Sequence, residues 1–63
     1  MENWIIRRDL VQSIITQLDL NRIKLKTART YFSAYGVKVP GRTKEQFCRN
    51  LGRLLLEAER VNP

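Results

Sequence analysis

The sequence predicts an all-α fold of three helices, over residues 3–18, 22–35 and 44–61, in a single domain covering 1–63. Apolar residues recur at three- and four-residue spacing through the first and third stretches, which marks a helix with one buried face. Residues that stop or start helices separate the stretches: Asp19, Leu20 and Asn21 first, then the span from Gly36 to Thr43. Alternation in Ile23-Lys24-Leu25-Lys26 would suit a short strand, but nothing else in the chain offers that strand a partner.

Asn3 is placed to cap the first helix. At 100° per residue, Trp4, Ile6, Leu10, Val11, Ile14, Ile15 and Leu18 fall within one half of the cylinder, with Arg8, Asp9, Gln12, Ser13 and Thr16 on the other. An ordinary surface helix has an apolar stripe a little over ~100° wide, so this one is expected to touch a second neighbour besides its own chain. The second helix sets Leu25, Ala28, Tyr31, Phe32 and Tyr35 on one side and Arg22, Lys26 and Arg29 on the other. Gly36 ends it, because a left-handed C-terminal cap is cheapest without a Cβ, and Val37 supplies the apolar contact that accompanies such a cap.

Pro40 disfavours helix at Val39 and Gly41 permits a turn, so the connection to the third helix is extended. Thr43-Lys44-Glu45-Gln46 has the capping-box pattern, with the Thr43 hydroxyl serving the Gln46 amide and the Gln46 side chain reaching back. Phe47, Leu51, Leu54, Ala58 and Val61 then form an apolar seam widened by Cys48 and Leu55, while Leu56 lies off it. Cys48 reads most simply as a small buried hydrophobe.

A 63-residue chain buries only about 60% of its unfolded surface, and such a core supplies roughly 3–5 kcal/mol unless something staples it. One cysteine excludes an internal disulfide, and with no histidine a zinc site of the usual kinds cannot be assembled. Self-association is the remaining staple. A homodimer is therefore expected, joined through Trp4, Val11, Ile14, Leu18 and Leu56. No catalytic residue, metal ligand or cofactor site is expected: there is no histidine to act as general base near neutral pH, and the six carboxylates are scattered. A fold of this size is also expected to lack a pocket of several hundred Å³. No apolar run approaches the ~20 residues of a membrane span, and MENWIIRRDL lacks the pattern of a secretory leader. The expected compartment is the cytoplasm.

The charge is concentrated. Residues 20–44 hold Arg22, Lys24, Lys26, Arg29, Lys38, Arg42 and Lys44 without one Asp or Glu, while both flanks are near neutral, so the net charge of +6 rests on this stretch. It is the expected contact surface for a negatively charged macromolecule. An acidic protein is the first reading, and DNA or RNA bound through the same cations the second. Tyr31 and Tyr35 could stack bases, but their spacing better fits the rim of a core, with each hydroxyl reaching water. Arg49 and Arg53 each stand four residues from an opposite charge, Glu45 and Glu57, and are assigned to those pairs; Arg60 stays open.

Over its whole length, through the MENWIIRRDL opening and the GVKVPGRTKEQF connection, the chain resembles the small 63-residue early proteins encoded in the exo-xis region of lambdoid phages. That resemblance implies an all-helical homodimer in the host cytoplasm that modulates the choice between lytic and lysogenic development. Locally, Phe32 to Gly36 followed by VKVPGRTKEQFCRNL resembles the helix, extended loop, helix pattern of the SAP and LEM modules. The former bind DNA and the latter a DNA-associated protein. The loop between Gly36 and Thr43 is shorter than in LEM modules, and the spacing after Gly41 is one residue longer than the SAP pattern. A helix-turn-helix is disfavoured, because about seven residues separate the last two helices where that motif uses three or four.

Overall fold

The computed structural model describes residues 5–61 and contains three helices: α1 (Arg8–Asp19), α2 (Leu25–Ala34) and α3 (Lys44–Val61). The all-α class is as predicted, and no strand occurs among the described residues. α3 has its predicted bounds. The other two helices start later than the sequence suggests, each for a physical reason.

α1 begins at Arg8, with Arg7 as an extended N-cap that makes no side-chain capping hydrogen bond. Ile5 and Ile6 precede the helix and are both buried. Successive side chains on a helix diverge by about 100°, so a helix running through this point would turn Ile5 away from the core. Leaving the helix lets both isoleucines pack inward. Asn3 and Trp4 lie outside the described residues.

α2 begins at Leu25 instead of residue 22 because Asn21 and Arg22 are used to close α1. Asn21 adopts φ +57°; its amide donates to the Leu18 carbonyl at 3.1 Å, and the Arg22 amide donates to the Gln17 carbonyl at 2.9 Å. This is the paired left-handed C-cap, with Asn in the position glycine usually takes. Gly36 ends α2 the same way, at φ +80°. There the Gly36 and Val37 amides reach the Ser33 and Phe32 carbonyls, each at 2.9 Å. Val37 is buried in the same core as Phe32, as the sequence predicts.

α1 and α3 run antiparallel. At one end the Arg8 guanidinium grips Glu59 with two hydrogen bonds, of 3.0 and 2.7 Å; at the other, Lys44 Nζ donates to the Leu18 carbonyl at 3.3 Å. The Arg8–Glu59 pair is exposed, so its stabilisation is roughly 0.2–1 kcal/mol, and the register of the two helices is held chiefly by their shared buried core. α2 closes over this pair of helices. Phe32 sits 6.3 Å from Phe47, ring to ring, and the fully buried Ala28 provides the small side chain that lets α2 come close.

Val11 and Leu18, each 1% exposed, belong to this core. They cannot also line the interface between two copies, which corrects that part of the expected dimer surface. Leu10, Ile14 and Ile15 are partly buried and pack against the same core. The surplus apolar area on α1 from which pairing is predicted is thus largely covered by α2, α3 and the 5–6 segment of one chain. Leu56, by contrast, is 64% exposed. Among the described residues no helix is long and apolar enough to cross a membrane.

Because Leu18 is internal, Leu18→Asp should abolish the cooperative thermal transition seen by circular dichroism at every protein concentration. An unpaired buried carboxylate costs several kcal/mol, as much as a core of this size provides. A folded monomer produced by this substitution would contradict the placement of Leu18.

Cys48 is half-buried at the start of α3. Burial first, then the Asp19 carboxylate, pushes its thiol above the ordinary range; Lys44 opposes this and Glu45 adds to it. Only the thiolate is alkylated, and a raised pKa means less thiolate in the folded protein at a given pH. The midpoint of iodoacetamide reactivity against pH should therefore lie higher in native buffer than in denaturant. Coincident midpoints would contradict it.

Candidate functional site

The best-formed concavity lies beside the connection between α2 and α3. Val37 and Val39 are buried while Lys38 and Pro40 are exposed, which is the two-residue alternation of an extended chain lying on a core. That backbone is pinned from both sides. The Arg29 guanidinium donates to the Gly41 carbonyl from α2, and Asn50 Nδ2 donates to the Pro40 carbonyl from α3 at 2.6 Å.

The capping box forms with a shifted return bond. The Gln46 amide donates to Thr43 Oγ1 at 3.1 Å, as predicted, but Gln46 Oε1 accepts from the Arg42 amide at 2.9 Å, one residue before the cap. The side chain thereby ties the loop, as well as the helix start, to α3. Gly41 makes the close approach possible. At φ +146°, a Cβ there would come within 2.7 Å of the Phe47 nitrogen.

The result is an open groove of about 670 Å³. Arg29 and Ser33 form one wall, Lys38 and Arg42 rise from the loop, and Pro40 supplies apolar surface, with only the small exposed edges of the buried Val37 and Val39 beside it. The expectation that so small a fold has no such concavity is overturned, because the groove is formed on the surface by a loop standing off two helices and uses no core volume. Arg29 directs part of its donor fork at Gly41 and keeps other N–H groups for a ligand. Three cations around apolar surface can hold an anionic group that carries apolar atoms beside it.

The structure brings together only three of the seven predicted contact cations, Arg29, Lys38 and Arg42. Lys24 and Lys44 flank a separate recess near the end of α1. Lys44 also donates to the Leu18 carbonyl, which already accepts from the Asn21 amide, and lies 3.5 Å from Asn21 Oδ1, so its positive charge sits at the C-terminal end of the α1 dipole. Lys26 borders a third recess with Thr27, Thr30 and Tyr31. Arg22 stands in the turn before α2. Arg22 is not helical, so it shares no helical face with Lys26 and Arg29; those two lie about 60° apart on one side of α2 and border different recesses.

Tyr31 meets Phe32 and Tyr35 edge-on, at 5.3 and 5.5 Å between ring centres. This is the arrangement of a core rim. On α3, the expected Glu45–Arg49 and Arg53–Glu57 pairs do not form: among the described residues the ion pairs are Arg7–Asp9 and Arg8–Glu59. Arg49, Arg53 and Arg60 are all exposed. Compared with models of known protein families, with curated proteins and with solved structures, the chain matches none.

Gly41→Ala should destabilise the chain by about 1–3 kcal/mol, from the strained φ and the contact with the Phe47 backbone, and lower the melting temperature accordingly. Gly52, in α3, is the control, because a Cβ added there would meet nothing within 4 Å. Gly52→Ala should raise stability by about 0.5–1 kcal/mol.

Proposed function

We propose that this chain is a non-enzymatic regulatory module that seats an acidic segment of another protein in the groove formed by Arg29, Lys38 and Arg42. The observation that carries the reading is the meeting of those three cations with the exposed apolar ring of Pro40 on a pinned extended loop. Carboxylates spaced among apolar side chains use both parts of such a site, whereas a phosphate backbone uses only the charge. The lack of any histidine in the chain supports a binding role over acid–base chemistry.

The resemblance to the early proteins of the exo-xis region supports the setting: a temperate phage, the cytoplasm of its host, and a partner of host or phage origin whose occupation biases lytic against lysogenic development. Pairing of two copies, which the same resemblance implies, is not needed for this groove, since one chain supplies every residue that lines it. The second reading, a DNA- or RNA-binding module, draws on the remaining cations spread over the same molecule.

Fluorescence anisotropy at low salt separates the two. A labelled extended peptide alternating Asp or Glu with Leu or Phe should bind, and Lys38→Glu with Arg42→Glu should weaken it at least about tenfold, since each change replaces attraction with like-charge repulsion. Random-sequence duplex or single strands retained in preference, with a log–log salt slope of about −0.9 per phosphate for the duplex, would replace this reading with the second.

A further inference from the structure

We infer that the outward face of α3 is a second contact surface, independent of the groove, and that it docks an acidic amphipathic helix of another protein. Arg49, Arg53, Leu56 and Arg60 follow one another at spacings of four, three and four. At 3.6 residues per turn they fall within about 60° of one another and span about 16 Å along the axis. All four are exposed, and Leu56, at 64%, is the most exposed of the large apolar residues described.

The stripe is not neutralised from within. Glu45 and Glu57 stand one turn from Arg49 and Arg53 but form no ion pair with them, and Glu59 is taken by Arg8. Leu56 has Arg53 and Arg60 about one turn away on either side, both outside any ion pair among the described residues, which is the pattern of an interface with an apolar centre and a charged rim. Charge decides what the occupant is. A second copy laid parallel on the same stripe would set arginine against arginine, and one laid antiparallel about Leu56 would set Arg60 against Gly52 and Arg53 against Glu59, which Arg8 already holds, so neither gives the arginines free acidic partners. A helix bearing Glu or Asp at matching spacing, with an apolar residue between them, has the same axial rise and meets all four positions together. A nucleic-acid backbone would leave Leu56 without a partner.

The test uses the full chain and a defined probe: an Ala-rich peptide of about 20 residues, long enough to hold helix in water, with three Glu and one Leu placed on one face to complement the stripe. An isomer of identical composition, with its Glu residues spread around the helix, and a random-sequence duplex are the comparisons. By titration calorimetry at low salt, the facial peptide should bind about tenfold more tightly than its isomer. Leu56→Asp and Arg53→Glu should each lower its affinity about tenfold with the melting temperature little changed, because both residues are on the surface, while Lys38→Glu in the groove should leave it unaltered. Equal binding of the two isomers, insensitivity to Arg53→Glu, or a preference for the duplex would overturn the inference. So would loss of binding in Lys38→Glu alone, which would place the peptide in the groove instead.

Discussion

The approach of the Gly41 backbone to the first turn of α3 is the contact on which the shape of this molecule depends. With no side chain at Gly41 the loop can lie against Phe47, and with the loop there Val37 and Val39 reach the core while Lys38 and Arg42 face outward. Arg29 from α2, and Asn50 and Gln46 from α3, then fasten that backbone from both sides. The groove is a by-product of this fastening: an extended segment, held rigidly, that stands beside α2 without filling the space between.

Similar use of short non-helical segments explains how one small chain builds a core. Ile5 and Ile6 both pack inward because the chain at that point is not yet helical. Two left-handed caps, at Asn21 and Gly36, end α1 and α2 sharply enough for each to turn back over the others. Phe32, Phe47, Leu18 and Leu51 occupy the centre, and nothing charged is buried among the described residues. A wide apolar face on α1 thus finds three neighbours within one molecule: two helices and its own leading segment.

Positive charge serves two purposes here, and position separates them. Lys44 and Arg29 direct hydrogen bonds at backbone carbonyls and so help hold the architecture together. Lys38, Arg42 and the arginines of α3 are displayed to solvent. Arg29 does both, which couples the integrity of the loop to the charge it presents. The cations therefore differ in what their removal would do to stability, although composition treats them alike.

Three helices, the glycine stop at Gly36, the cap at Thr43 and the apolar seam of α3 were legible in the sequence, because each depends on interactions within a few residues of chain. The starts of α1 and α2 were not. Ile5 is placed by packing into the core, which depends on distant residues, and Asn21, a residue that could equally cap a following helix, is spent on closing α1, a choice that local pattern does not make. Nor could spacing alone reveal that Arg29, Lys38 and Arg42 converge while Arg22 and Lys26 turn elsewhere, or that Arg49 and Arg53 form no ion pair with their nearest carboxylates. The order of residues specifies how much positive charge the protein carries and which stretches coil into helices. Which cations meet is set by the packing, because it depends on how a loop without local order is pulled onto two helices.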